Sequence, residues 1–314
     1  MFSRLRFPLE WIALTFIALV DLIWAQQIDF RLLVDSGDAA AIATPLLLLI
    51  AAWVARAPRA ALALEFFCLS LACAVVYGVM SYLALASAYG PLRDATLLAA
   101  DRALGFDWLA LYQWIVARPL LSGLLLTLYI SVVAQALIAS VVLGLRQQHR
   151  ELTELFRVIL VSSFITCMGA MLFPSLGPFK IFAIHGRGFF LVDMEHLLSH
   201  RDLIFSLSKL GGVVNFPSFH VVLALTYGYG FYRAGAFGRA LTAMNILMIF
   251  SIPFMGGHYL VDVLAGTGVF ALSLATVKVI GRLSPDNVFA KVTSPSLIAD
   301  ETRSWHRSIG TLAD

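Results

Sequence analysis

Residues 45–86 read PLLLLIAAWVARAPRAALALEFFCLSLACAVVYGVMSYLALA, with charges only at Arg56, Arg59 and Glu65. Apolar residues fall on every side of any helix drawn through this stretch, so no face is left for water. The Arg56-Ala57-Pro58-Arg59 break divides it into two apolar runs, the first extending back to residue 39 and the second on to residue 88, and each is long enough to cross a hydrocarbon core that takes ~20 residues. The pattern continues outward: the 314-residue chain is 60% hydrophobic and 13% charged, with mean hydropathy +0.87. A water-soluble surface cannot be built from that composition.

Eight spans are predicted, near 9–26, 39–55, 61–88, 119–145, 156–175, 218–233, 240–256 and 259–281. The expected fold is therefore all-α: a polytopic membrane helix bundle with about eight transmembrane helices. An amphipathic interfacial element is expected at 90–118, where apolar residues recur at helical spacing and Trp108 and Trp114 suit the membrane surface. One transmembrane domain, 1–281, is expected to carry the chemistry, followed by a polar cytoplasmic tail, 282–314.

If the N-terminus is cytoplasmic, the inner segments hold Arg4, Arg6, Arg56, Arg59, Arg146, Arg150, Arg157, Arg233, Arg239, Lys278, Arg282, Lys291, Arg303 and Arg307. These are 14 of the 22 basic residues, the asymmetry that orients membrane proteins. Both termini are then cytoplasmic in a plasma or inner membrane. Scattered charge of this kind is an orientation signal, not a nucleic-acid footprint. Cys68, Cys73 and Cys167 lie in apolar runs without metal-ligand spacing and read as small buried hydrophobes.

Three motifs carry candidate chemistry. Lys180 and Arg187, seven apart, offer a point charge and a planar fork to phosphate oxygens; the bland alternative is a pair of interface cations. Phe216-Pro217-Ser218-Phe219-His220 opens a helix, where Ser218 is expected to cap and His220 to stand at an anion-friendly helix mouth. His258 and Asp262 are four apart, so the carboxylate can hold one imidazole nitrogen and leave the other free. The orientation rule puts all three motifs on the outer face, a placement independent of the residue patterns that define them. Asp21 and Glu65, inside spans, read as structural groups.

The order K-x6-R, P-S-x-H, H-x3-D resembles the type-2 phosphatidic acid phosphatase superfamily, whose usual pattern is K-x6-R-P, P-S-G-H and S-R-x5-H-x3-D. The likeness covers 180–262, and the segment DRALGFDW is similar to the branch containing inositol phosphorylceramide synthases. The resemblance implies phosphate binding by Lys180, Arg187 and Ser218. It also implies a nucleophilic His258 oriented by Asp262, and His220 as general acid. Gly188 and Phe219 replace the family's proline and glycine. Ile252 stands where its phosphatases have arginine, which tilts the expectation toward transfer to an alcohol acceptor. Hydrolysis of a lipid phosphate or polyprenyl diphosphate is the alternative, and a transporter or scaffold the reading from another class. The expected partners are a lipid phosphate, an alcohol acceptor and membrane lipids; no cofactor and no metal are expected.

Overall fold

The computed structural model describes residues 5–184, 186, 188 and 190–283; Arg187, His185 and the expected tail beyond residue 283 lie outside the described residues. Met1–Ala271 forms one compact unit, which carries the site, and Leu272–Asp314 a second.

The protein is an all-α polytopic membrane bundle. The long helices are α1 (Pro8–Gln27), α2 (Ser36–Val54) and α3 (Pro58–Ala86). Two short interfacial helices follow, α4 (Asp94–Ala103) and α5 (Trp108–Val116). The fourth span, Pro119–Gly144, is continuous but irregular. It runs through α6 (Pro119–Ile130), a 3₁₀ turn, α7 (Gln135–Ala139) and a π turn at Ser140–Gly144. Then come α8 (His149–Leu172), the short α9 (Pro178–Ile181) and α10 (Phe190–Leu198), α11 (Phe219–Phe231), α12 (Gly235–Met255) and α13 (Leu260–Leu283). A small parallel ladder, unforeseen from the sequence, pairs β1 (Arg31–Leu33) with β2 (Ile204–Ser206), Leu32 opposite Phe205.

Among the described residues, seven helices are long and apolar enough to cross a membrane. The sixth expected span, 218–233, is the exception: α11 has 13 residues and reaches only ~20 Å at 1.5 Å per residue, short of a ~30 Å hydrocarbon core. It survives as a short helix because it lies inside the bundle, packed on α8 and α12, with Val221, Val222, Ala224 and Phe231 buried. The outward faces of the long helices expose Leu9, Ile12, Phe16, Leu47 and Phe250, as lipid contact requires. Cys68, Cys73 and Cys167 are free thiols buried in the core.

Hydrogen bonds show which ends meet. At one end, Glu65 accepts the Arg6 and Phe7 amides at 2.9 and 3.1 Å, and so closes the start of α1 that no local side chain caps. His149 contacts the Arg6 carbonyl, Arg146 donates to the Ala234 carbonyl, and Arg157 pairs with Glu10. At the other end the segments 94–108, 175–218 and 256–262 are knitted together, as described next. Asp21 is buried with Oδ2 unpartnered.

Candidate active site

Helix α13 begins at Leu260, and the residue before it, Tyr259, has no short acceptor side chain with which to cap the first amides. Carboxylates supply the acceptors. Asp262 Oδ2 takes the Tyr259 N–H at 2.8 Å. Asp101, from α4, takes the Leu260 and Val261 N–H groups at 2.9 and 3.0 Å. Asp94, also on α4, accepts the Tyr259 hydroxyl at 3.0 Å and the Gly177 N–H at 2.7 Å. It thereby ties the turn before α9 to the turn before α13. Burial pushes the Asp101 carboxyl up, against the pull of the two amides it accepts. Burial and the neighbouring Asp94 carboxylate push the Tyr259 phenol up, so it stays a donor.

Between α12 and α13 the chain turns through Gly256 and Gly257. Gly257 sits at φ +68°, and a Cβ there would lie 2.6 Å from the Phe179 ring. Only glycine fits both demands. The turn presents His258, which is 4% exposed. Its Nδ1 is 2.9 Å from the Asn215 carbonyl and 3.4 Å from Asp262 Oδ2. A carbonyl can only accept, so the ring proton belongs on Nδ1 and Nε2 keeps its lone pair. Nε2 lies 3.4 Å from Ser218 Oγ. Burial pushes the imidazole down to about 4, although the bond to Asn215 pulls the other way. The ring is neutral around pH 7.

Ser218 occupies the N-cap position of α11, yet its hydroxyl makes no capping bond. The expected cap is not formed; the Ser218 N–H donates to the Asp262 carbonyl at 3.1 Å, which ties the two helix starts together, and the hydroxyl turns to His258. His220, in the first turn of α11, stacks on Tyr129 with centroids 4.6 Å apart. Its ring centre is 6.4 Å from that of His258. Ser218, His220, His258 and Asp262 are therefore brought together. Lys180, on α9, is half-exposed and ion-paired with Glu195 of α10; Phe179 beside it packs on the His258 turn. Arg187 lies outside the described residues.

Ile252 is fully buried and packs with Val221 and Val263, so this position belongs to the core. Trp108, expected at the lipid surface, is instead 1% exposed. Its indole N–H is shared between the Pro253 and His258 carbonyls, both at 3.1 Å. Trp114 is 52% exposed, as expected of an interfacial ring. His200 contacts the Ala86 carbonyl at 2.7 Å and stacks on Tyr89, which anchors its loop to the end of α3. Among the described residues no three His, Cys, Asp or Glu side chains cluster as metal ligands would.

Asn215, Asp94, Trp108 and Glu195 are the participants that motif reading missed, and the part played by Asp101 could not be foreseen. The only advance signal was the placement of acidic residues in an otherwise apolar interfacial segment. A family model described as the PAP2 superfamily matches residues 95–276. No curated protein and no solved structure matches the chain.

Proposed function

The chain belongs to the PAP2 superfamily, a membership that supports a lipid phosphatase or phosphotransferase type of enzyme, and on that premise we propose that it transfers a lipid-borne phospho-group to an alcohol through a phosphohistidine. The reading rests foremost on one observation: a neutral His258 whose Nδ1 proton is engaged by the Asn215 carbonyl and whose Nε2 points at Ser218 Oγ.

In this mechanism the substrate phosphate sits among Lys180, Arg187 and the Ser218 hydroxyl. Phosphoryl transfer is mainly positioning and charge stabilisation, and these donors provide both. The Nε2 lone pair forms a bond to phosphorus as the bond from phosphorus to the leaving oxygen breaks. Burial and the neighbouring His258 hold the resting His220 ring down to about 3, so it takes up a proton as the anionic phosphate arrives beside it, and it gives that proton to the leaving oxygen. The acceptor hydroxyl then loses its proton to His220 and attacks phosphorus, and the bond from phosphorus to Nε2 breaks, restoring the ring. Asp262 and the Asn215 carbonyl stabilise the charge on the His258 ring while the phosphohistidine exists. The 6.4 Å between the two ring centres supports a phosphorus-sized gap between nucleophile and acid. Lys180 is held by Glu195, so an arriving phosphate competes with that carboxylate. The buried Ile252 supports transfer over hydrolysis, because the third cation of the phosphatases is absent. The orientation of the basic residues supports an outward-facing site with both termini in the cytoplasm.

The test is to incubate purified protein with phosphorus-labelled phospholipid, with and without candidate alcohols. Labelled product that carries the alcohol is expected, together with a labelled protein intermediate that His258→Ala lacks. Free phosphate as the sole phosphorus product under all conditions would convert the assignment to a phosphatase. Full turnover by His258→Ala would end the histidine mechanism.

A further inference from the structure

Four consecutive residues around the imidazole are each held from one distant segment. Trp108 binds the His258 carbonyl, Asp94 binds the Tyr259 hydroxyl, and Asp101 binds the Leu260 and Val261 amides. These groups lie about 150 residues or more apart along the chain. Asp101 and Trp108 are fully or almost fully buried. Asp101 stands in for the missing N-cap side chain of α13, satisfying two of the amides that a helix start leaves free. Trp108 fixes the turn from the other side, donating also to the Pro253 carbonyl at the end of α12.

We propose that Asp101 and Trp108 are positioning residues, and that the α4–α5 segment is a brace setting the His258 ring at attacking distance. It rests on the phosphohistidine reading. Neither side chain is offered a place against substrate; both act through the backbone of residues 253 and 258–261. The physical case is one of division of labour. Were Asp262 to take the Leu260 and Val261 amides as well, its carboxylate would have to turn from the orientation in which Oδ2 meets His258 Nδ1. With Asp101 taking Leu260 and Val261, Asp262 Oδ2 serves only the Tyr259 amide and His258 Nδ1. A helix start held from outside also cannot fray, so the ring that precedes it keeps one height relative to Ser218.

A pure scaffold role and a positioning role differ in what they do to a transition-state mimic. Orthovanadate adds to a histidine nitrogen and expands from four to five ligands, imitating the transferring phosphoryl group. Inorganic phosphate probes only the anion site. The full-length chain in detergent would be titrated with each, following binding by calorimetry. The wild type should prefer vanadate, as transition-state mimics are held more tightly than ground-state ligands. Asp101→Asn and Trp108→Phe should each weaken vanadate by roughly tenfold or more, since small misplacements of a reacting atom cost heavily. Their phosphate affinity should stay within about twofold, because anion contacts do not depend on the attack geometry. An unchanged vanadate-to-phosphate ratio in both variants overturns the brace. His258→Ala separates the two claims: it should abolish the preference, and a preference that survives it, or is absent from the wild type, overturns the phosphohistidine reading itself.

Discussion

At the scale of the residue, the two bonds to His258 Nδ1 are unequal. The Asn215 carbonyl is nearer than Asp262, and no side-chain substitution removes a carbonyl. Asp262→Asn should therefore lower kcat by one to two orders of magnitude, less than the ~10⁴-fold seen where a carboxylate alone sets the tautomer. Steady-state kinetics on folded protein check this, and a loss below twofold would remove Asp262 from the mechanism. The pH dependence follows from the same burial. The nucleophile must be neutral, and its ring is held down to about 4, so the acid limb of kcat/KM should fall near pH 4 and not near 6.5. Because the two imidazoles are close, the limb belongs to the pair. The unfolded ring takes a proton as pH drops below 6.5 while the folded one does not. The His258 contribution to stability should decline between about 6.5 and about 4, and that of His220, held down to about 3 by burial and its neighbour, should run on to about 3, which denaturation at stepped pH would show. Ser218, His220, His258 and Asp262 were legible because the motif keeps them at fixed local spacing. Asn215 was not, since its contribution is a backbone carbonyl, a group every residue has.

At the scale of the element, α11 and α13 approach closely where glycine permits it. A Cβ on Gly266 would lie 2.5 Å from the Ser218 carbonyl oxygen, and the obstacle is backbone, which cannot swing aside. Gly266→Ala should push the start of α11 off α13, carrying Ser218 and His220 from His258. Overpacking of this sort destabilises by about 1–3 kcal/mol, so a lowered melting temperature is expected together with lost activity; wild-type values for both would refute the contact. The spans themselves were legible from apolar length, with two exceptions that have physical causes. Helix α11 is shorter than its apolar run because the cap position at Ser218 and the turn after Phe231 bound it. The 94–116 pair showed amphipathic spacing, but a period cannot say that Trp108 points inward, since burial there depends on Pro253 and His258, far along the chain.

At the scale of the molecule, hydrogen bonds sort the segments by end: 94–108, 175–218 and 256–262 share one, while 6–10, 65 and 146–157 share the other. Which compartment each end faces is the proposal drawn from basic residues, and labelling decides it. In intact cells, Arg201→Cys should react with a membrane-impermeant maleimide, whereas Arg150→Cys should react only after permeabilisation; the reverse pattern would invert the orientation. The membrane class was legible from composition alone, because no soluble protein can hide that much apolar surface. The small β1–β2 ladder was not, being three residues a side and without a strand-length signal.

The native thiols give this experiment, and others, a silent background. Cys68, Cys73 and Cys167 are all sealed in the core, so alkylating reagents find nothing to modify until helices separate. Mass added by a thiol reagent during gradual heating therefore counts opened molecules one by one, and provides a melting curve that requires neither a substrate nor a cysteine-free variant.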